Sequence, residues 1–214
     1  MLLLLLAHGA SSSRSGAPRL SAMAKDIRLL IDFTDPKTAL DFIPVDDRIM
    51  GGQTVSRVVH EDGCTCFKGV LVVEGGGFAS VRCTEPLSLA SDVDALVLEA
   101  CADGRRGYKL TLTSIAAPQG VSYQYVLPLD DVVHGEFVPV RCPLSSFRPS
   151  FRGRPAPEAP PLRAEDVRSL GLMLSRYEGD GEVKVSINPG PFKLRLRKLA
   201  VGESELAING KRWV

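Results

Sequence analysis

The feature that most constrains the fold is a two-residue alternation of apolar and polar side chains. In residues 192–197, Phe and Leu alternate with Lys and Arg, and in residues 108–113, Tyr and Leu alternate with Lys and Thr. Successive residues of a strand point to opposite faces, so each of these segments has one dry face and one wet face. Strands of this kind form antiparallel sheets that cover a core on one side. Two such sheets packed face to face give a sandwich or jelly roll.

Short apolar segments separated by turn residues run through the rest of the chain. Residues 61–63 and 103–107 are the clearest turns between them. A single helical turn is expected at 164–168, and the absence of alternating strands and helices excludes a Rossmann-like fold. We therefore predict an all-β, two-sheet antiparallel sandwich. Its expected strands are 27–33, 55–60, 66–74, 78–83, 95–102, 108–115, 121–127, 137–142, 169–175, 183–187 and 192–201.

One proline-rich segment interrupts this pattern. Residues 148–163 contain five prolines and four arginines. Proline cannot donate to a strand ladder, so a central strand is excluded here and an exposed loop within the domain is expected. Two interpretations stay open, a solvated connection and a basic, pre-extended docking arm.

The first 25 residues have a composition of their own. They hold Arg14, Arg19 and Lys25 but no acidic residue, and they are rich in serine, which is typical of an organellar transit peptide. The alternatives are a disordered extension and a mis-called start, with Met23 as the first residue of the protein. We expect a leader at 1–25, a single domain at 26–214 and a mitochondrial location, with plastid and cytoplasm as alternatives. No apolar run approaches the roughly 20 residues that span a bilayer, which leaves only peripheral membrane association open.

Charge and reactive side chains argue against several functions. The formal net charge is +1, so bulk electrostatics does not favour binding to nucleic acid. Five cysteines without a C-x-x-C pair indicate reduced, partly buried thiols rather than a metal or redox site.

Asp46 and Asp47 are adjacent and would point to opposite faces of a strand, which disfavours an acid–base pair. Tyr123 and Tyr125 share a strand face and are the best candidates for a sugar-stacking platform, although ordinary cross-strand packing is the favoured explanation of the pair.

Two segments carry a family resemblance. Residues 45–56 read V-D-D-R-I-M-G-G-Q-T-V-S, and residues 67–82 read F-K-G-V-L-V-V-E-G-G-G-F-A-S-V-R. Both resemble motifs of the complex I intermediate-associated protein 30 (CIA30) family, and weaker matches follow at 103–108, 140–147, 170–172 and 190–194. Three departures are visible. The tryptophan that the family often has shortly before the first motif is absent, and Phe42-Ile43-Pro44 stands in its place. The first motif usually has Asn where this chain has Asp46, and the last strand is usually acidic where this one is basic.

The resemblance implies a galactose-binding-like jelly roll that acts without catalysis or cofactor. It would be an assembly factor or chaperone-like helper for a multi-subunit complex, with the subunits of mitochondrial respiratory complex I as partners. A carbohydrate-binding or other ligand-binding module is the alternative. Partner contact would fall on the signature residues, which are Asp46, Asp47, Arg48, Met50, Gly51, Gly52, Gly77, Phe78 and Arg82.

A specific contact is expected within this set. Arg82 follows the second glycine run, and Asp46 and Asp47 precede the first one. We expect one of these carboxylates to face the Arg82 guanidinium, whose planar fork suits a carboxylate. Such a pair would hold the signature loop in one shape, whereas an exposed Arg82 would make the loop a candidate contact surface.

Overall fold

The computed structural model describes residues 27–130, 132–133, 135–178, 183–184 and 188–202. Its regular elements are fifteen strands and four short 3-10 helices. The helices are Pro36–Asp41, Asp47–Met50, Leu144–Ser146 and Ala164–Asp166. The strands, numbered β1 to β15 in chain order, are Arg28–Asp32, Phe42–Pro44, Val55–Glu61, Cys64–Leu71, Phe78–Cys83, Ala95–Cys101, Tyr108–Ser114, Val121–Val126, Val138–Pro143, Arg148–Phe151, Arg154–Pro155, Val167–Ser175, Tyr177–Glu178, Val183–Lys184 and Gly190–Val201. None of the described helices is long and apolar enough to cross a membrane.

The strands form two main sheets. The six-stranded sheet has the order β3-β4-β15-β6-β9, and β1 pairs with the second half of β15. The seven-stranded sheet has the order β11-β10-β8-β7-β12-β5-β2, and β13 and β14 form a separate pair. Neighbouring strands in both main sheets are antiparallel. The predicted all-β, two-sheet antiparallel sandwich is therefore confirmed.

The core lies between the two sheets and follows the alternation in the sequence. Tyr108, Leu110 and Leu112 of β7 are fully buried, and so are Leu194 and Leu196 of β15. The alternate residues of β15 point to the outer face of the six-stranded sheet. Apolar burial of this kind contributes roughly 25 cal/mol per Å², which makes the inner faces the main source of stability.

The proline-rich segment differs from the expected loop. It begins with β10 and β11, which form the edge of the seven-stranded sheet, and Arg148 and Phe151 pair with Gln124 and Val121 of β8. Proline has no N–H to donate to a neighbouring strand. It is tolerated at the edge of a sheet because one side of an edge strand has no neighbouring strand. Further along the segment, Ala159 and Leu162 pack against the core. The segment is thus an edge hairpin with an anchored tail.

The outer face of the six-stranded sheet carries a partly exposed cluster of ion pairs. Glu61 of β3 accepts hydrogen bonds from Lys68 Nζ (2.9 and 3.2 Å) and lies 2.5 Å from Lys193 Nζ. The hydrogen bonds from Lys193 and then from Lys68 lower the pKa of Glu61 from 4.5 to about 2. Because the folded state prefers the carboxylate, this cluster stabilises the protein above the ordinary pKa and loses that effect as the pH falls.

A pH series on a single variant tests this cluster. The free energy of unfolding of the wild type minus that of Glu61→Gln should be constant at neutral pH and should shrink as the pH falls from about 5 toward 2. Urea titrations at each pH measure the difference. A difference that does not change with pH would contradict the ion-pair assignment.

Candidate functional site

The signature residues 46–52 form a tight corner between β2 and β3. A 3-10 helix covers Asp47–Met50, and Gly51 follows it in the left-handed conformation at φ 89°. The N–H of Gly51 bonds to the Arg48 carbonyl, and the N–H of Gly52 bonds to the Asp47 carbonyl (3.0 Å). Only glycine adopts such a φ at little cost, so Gly51 lets the chain reverse from one sheet into the other.

Asp47 is the centre of this corner and has no exposed surface. Its Oδ1 accepts a hydrogen bond from the Thr54 N–H (3.1 Å). Its Oδ2 accepts bonds from the Thr54 hydroxyl (2.9 Å), the Gly77 N–H (2.8 Å) and the Phe78 N–H (3.3 Å). Hydrogen bonds to a carboxylate are stronger than those between neutral groups. Asp47 therefore fastens its own corner to the start of β5, thirty residues away in sequence.

Asp46 makes a second set of bonds, which join the two sheets. Its Oδ2 accepts from the Ser56 N–H (2.8 Å), and its Oδ1 accepts from the Ser56 hydroxyl (2.6 Å) and the Ser80 N–H (3.0 Å). Ser56 belongs to β3 of the six-stranded sheet, whereas Ser80 belongs to β5 of the seven-stranded sheet. Asp46 and Asp47 with their partners Thr54, Ser56, Gly77, Phe78 and Ser80 are called the clasp below.

Glycines surround the clasp because the backbone approaches the Asp47 carboxylate closely. A Cβ on Gly52 would lie 2.3 Å from the Asp47 Cγ, and a Cβ on Gly76 would lie 2.1 Å from its Oδ2. Gly77 has φ +127°, and a Cβ there would lie 2.3 Å from the Arg176 side chain. Steric exclusion thus accounts for the glycines on both sides of Asp47.

The expected contact between Arg82 and the aspartates is wrong. Arg82 is exposed on the outer face of β5, where it pairs in register with Ile43 and Gly171. The carboxylates of Asp46 and Asp47 are bonded to backbone N–H groups and hydroxyls instead. This outcome could not be predicted from the sequence, because every residue except proline has a backbone N–H and the sequence does not show which of them a carboxylate will bind. The hydroxyls of Thr54 and Ser56, two residues apart just after the glycines, were the available clue.

Arg82 should therefore contribute little to stability. Arg82→Leu is expected to change the free energy of unfolding by no more than about 0.5 kcal/mol, as for other exposed positions. Chemical denaturation of this variant beside the wild type measures it. Arg105 is not a suitable exposed reference, because its Nε lies 3.2 Å from Asp103 Oδ2. A loss of several kcal/mol on Arg82→Leu would mean that Arg82 holds the corner after all.

The remaining signature residues divide between surface and interior. Arg48 is exposed and Phe78 is half-buried. The side chain of Met50 lies outside the described part of the structure, as does the leader at residues 1–25. Of the nine signature residues, the two arginines are therefore the ones described as exposed charged side chains.

The two tyrosines proposed as a sugar platform point into the sandwich. Tyr123 is buried, and its hydroxyl donates to the Pro160 carbonyl (2.5 Å). The Tyr125 hydroxyl donates to the Arg141 carbonyl (3.2 Å), and its ring packs on Phe147 at 5.4 Å between centroids. These rings belong to the inner face of β8, so cross-strand and core packing explains them and no stacking platform is formed.

The thiols are free and buried. The Cys64 and Cys66 sulfurs lie 3.8 Å apart without a bond, and all five cysteines are reduced. Burial raises the pKa of Cys66 to about 12, which opposes formation of a reactive thiolate. Within the described ranges, no three His, Cys, Asp or Glu side chains are grouped so as to hold a metal ion.

Solved structures similar to this chain share its fold. A family 11 carbohydrate-binding module from Clostridium thermocellum, in complex with a beta-1,3-1,4-mixed-linked tetrasaccharide, has TM-score 0.51 and 14% identity over 86% of this chain and 99% of that one. The family 11 module of the cellulosomal cellulase Lic26A-Cel5E of the same organism has TM-score 0.51 and 14% identity, with 86% and 97% covered. At this identity, the likeness shows the jelly-roll fold alone. No curated protein matches the sequence.

A family model gives the more specific relationship. Residues 31–196, well over half of the chain, match the model described as complex I intermediate-associated protein 30 (CIA30). The matched range contains every strand of the sandwich except residues 28–30 of β1 and 197–201 of β15, and it includes the whole clasp. The chain belongs to the complex I intermediate-associated protein 30 (CIA30) family.

Proposed function

We propose that this protein acts without catalysis as an assembly factor for a multi-subunit complex, and that the complex is respiratory complex I (NADH:ubiquinone oxidoreductase) in mitochondria. The observation that carries this proposal is the match of residues 31–196 to a family described by its association with a complex I intermediate. The partners would be protein subunits of that complex.

The chemistry of the clasp supports a non-catalytic role. A general acid or base needs a carboxyl oxygen within reach of a substrate proton. Both carboxylates are buried, and each accepts three or more hydrogen bonds from Thr54, Ser56, Ser80 and the amides at Gly77 and Phe78. Their acceptor capacity is used within the protein, which suits a rigid scaffold better than a reaction centre.

The corner would contact a partner through what it leaves exposed. Arg48 lies at the surface on the 3-10 helix that Asp47 anchors, and Arg82 lies on the outer face of β5. Rigid loops lose little conformational entropy on binding. We propose that the buried members of the signature hold the corner in shape and that Arg48 presents charge to the partner.

Carbohydrate binding is the weaker alternative. The similar carbohydrate-binding modules are only 14% identical to this chain, and the fold does not determine the ligand. Tyr123 and Tyr125, the aromatic pair on which a sugar could stack, are turned into the core. A glycan array probed with the full chain would detect such binding, and we expect none.

Deleting the gene in the native organism tests the proposal. The amount of fully assembled complex I, resolved on native gels and stained for NADH oxidation, should fall, whereas the other respiratory complexes serve as controls and should not change. Re-expression of the full chain should restore complex I. A normal amount of complex I in the deletion strain would contradict the proposal.

Fractionation and N-terminal sequencing of the native protein test the mitochondrial location and removal of the leader.

A further inference from the structure

A row of three cations crosses the outer face of the six-stranded sheet. Arg57 of β3 is directly opposite Lys68 of β4, and Lys68 is directly opposite Lys193 of β15. Like charges at directly opposed positions destabilise a sheet. A row of this kind therefore costs stability unless anions compensate it.

Compensation within the protein is incomplete. Glu61 pairs with both Lys68 and Lys193, and Asp62 lies 3.8 Å from Lys193 but is largely exposed. Arg57 is exposed, and no carboxylate in the described ranges forms an ion pair with it. Arg195 extends the charge along β15, with its guanidinium held over the Phe137 ring and bonded to the Gly135 carbonyl. This corner of the sheet is locally positive, although the whole chain has a net charge of only +1.

An exposed apolar row lies beside the cations. Val55 is opposite Val70, and Val70 is opposite Pro191, on the same three strands and two residues along from the charged row. Val55 is 51% exposed and Val70 is 47% exposed. Residues two apart on a strand are separated by about 7 Å, so the cations and the apolar side chains can contact one extended segment together.

We propose that these two rows, Arg57–Lys68–Lys193 and Val55–Val70–Pro191, form a docking surface for an acidic segment with interspersed apolar residues on a partner protein. Acidic side chains would neutralise the cation row, and the apolar side chains would cover the valines. The identity of the partner as a subunit of the complex rests on the proposed function, whereas the chemistry of the surface does not.

The contact involves the face of the sheet rather than its edge. β3 is an edge strand, and the Ser56 N–H at its start already bonds to Asp46. An added strand would have to break that bond. A membrane surface fits less well, because interfacial insertion uses Trp, Phe or Leu, whereas the exposed residues here are short valines and a proline, and Glu61 lies among the cations.

Nuclear magnetic resonance of the ¹⁵N-labelled full chain tests the surface with a defined probe. A synthetic peptide that alternates Glu with Val should shift the amide signals of Arg57, Lys68 and Val70, and a peptide that alternates Lys with Val should not.

Arg57→Glu should weaken the affinity for the acidic peptide about tenfold or more, and Arg57→Glu with Val55→Asp should abolish it. Arg154→Glu, the same charge reversal at an exposed position on the other sheet, should leave it unchanged. Shifts elsewhere, or binding to vesicles with 30% anionic lipid that Arg57→Glu abolishes, would overturn the proposal.

Expression of the same variants in the deletion strain separates this surface from the proposed function. Arg57→Glu is expected to reduce co-purification of complex I subunits, whereas Arg154→Glu is not. Undiminished co-purification with Arg57→Glu would overturn the docking surface and leave the proposed function intact. A peptide-binding surface in a wild-type protein that never co-purifies with complex I subunits would support the surface and contradict the proposed function.

Discussion

Replacing Asp47 by alanine should lower the free energy of unfolding by about 3–5 kcal/mol, the largest effect expected of any single side chain in the clasp. The change removes the acceptor of the Thr54, Gly77 and Phe78 N–H groups. Asp47 is fully buried, so water cannot readily replace it, and each buried donor left unsatisfied costs about 1–3 kcal/mol. Urea denaturation followed by circular dichroism measures the loss.

An exposed aspartate provides the matched control. Asp92 is at the surface, and Asp92→Ala should change the free energy of unfolding by no more than about 0.5 kcal/mol. If Asp47→Ala were as mild as Asp92→Ala, the corner would not depend on the carboxylate. The glycines around it would then need another explanation.

Replacing Gly76 by alanine should cost about 2–4 kcal/mol, and most of that cost should depend on Asp47. The new Cβ would lie 2.1 Å from Asp47 Oδ2, so the carboxylate must move away from the Gly77 and Thr54 donors. In an Asp47→Ala background the obstructing oxygen is gone, and the same substitution should cost far less. A double-mutant cycle by urea denaturation measures this coupling.

Additive effects of the two substitutions would contradict the packing of Gly76 against the carboxylate. Gly63→Ala is a useful reference for backbone strain alone. Gly63 has φ +71° and nothing within 4 Å of an added Cβ, so its replacement should cost about 1–2 kcal/mol whether residue 47 is Asp or Ala.

The sequence predicted the sandwich well because burial on one face imposes a two-residue period. The alternation in β7 and β15 could be read directly, and β5 has the expected bounds of Phe78–Cys83. The proline-rich edge hairpin was missed because its prolines break the usual strand pattern of the sequence. They are compatible with a strand there because an edge strand needs fewer N–H donors than a central one. β2 was missed because three residues, Phe42–Pro44, are too short for any period to show.

The sequence predicted that the two motifs meet, but not the contacts between them. The two motifs do meet in space, since Asp47 bonds to the Gly77 and Phe78 amides. The charge-pairing rule favoured Arg82, yet strand alternation places its side chain on the outer face. The carboxylates of Asp46 and Asp47 instead accept hydrogen bonds from backbone N–H groups. Which N–H groups are available depends on how the strands pair in the folded protein.

The Asp at position 46 fits its surroundings in this chain. The motif that residues 45–56 resemble has Asn at this position, and an amide has one acceptor oxygen and two N–H donors. Asp46 uses both oxygens to accept from Ser56 N–H, Ser56 Oγ–H and Ser80 N–H. With Asn, the NH2 group would face either the Ser56 N–H at the Oδ2 position or the Ser80 N–H at the Oδ1 position, and a backbone N–H cannot accept, so one of these two hydrogen bonds would be lost.

If the clasp is a permanent internal lock, its amide protons should exchange with solvent only when the whole protein unfolds. The N–H groups of Ser56 and Ser80 donate to the Asp46 carboxylate, and the N–H group of Gly77 donates to the Asp47 carboxylate. They should exchange as slowly as the central strands, by global unfolding, and Asp46→Ala should accelerate Ser56 and Ser80 selectively. Rapid exchange of these three amides in the native protein, at the rate of exposed turns such as Gly63, would contradict the claim.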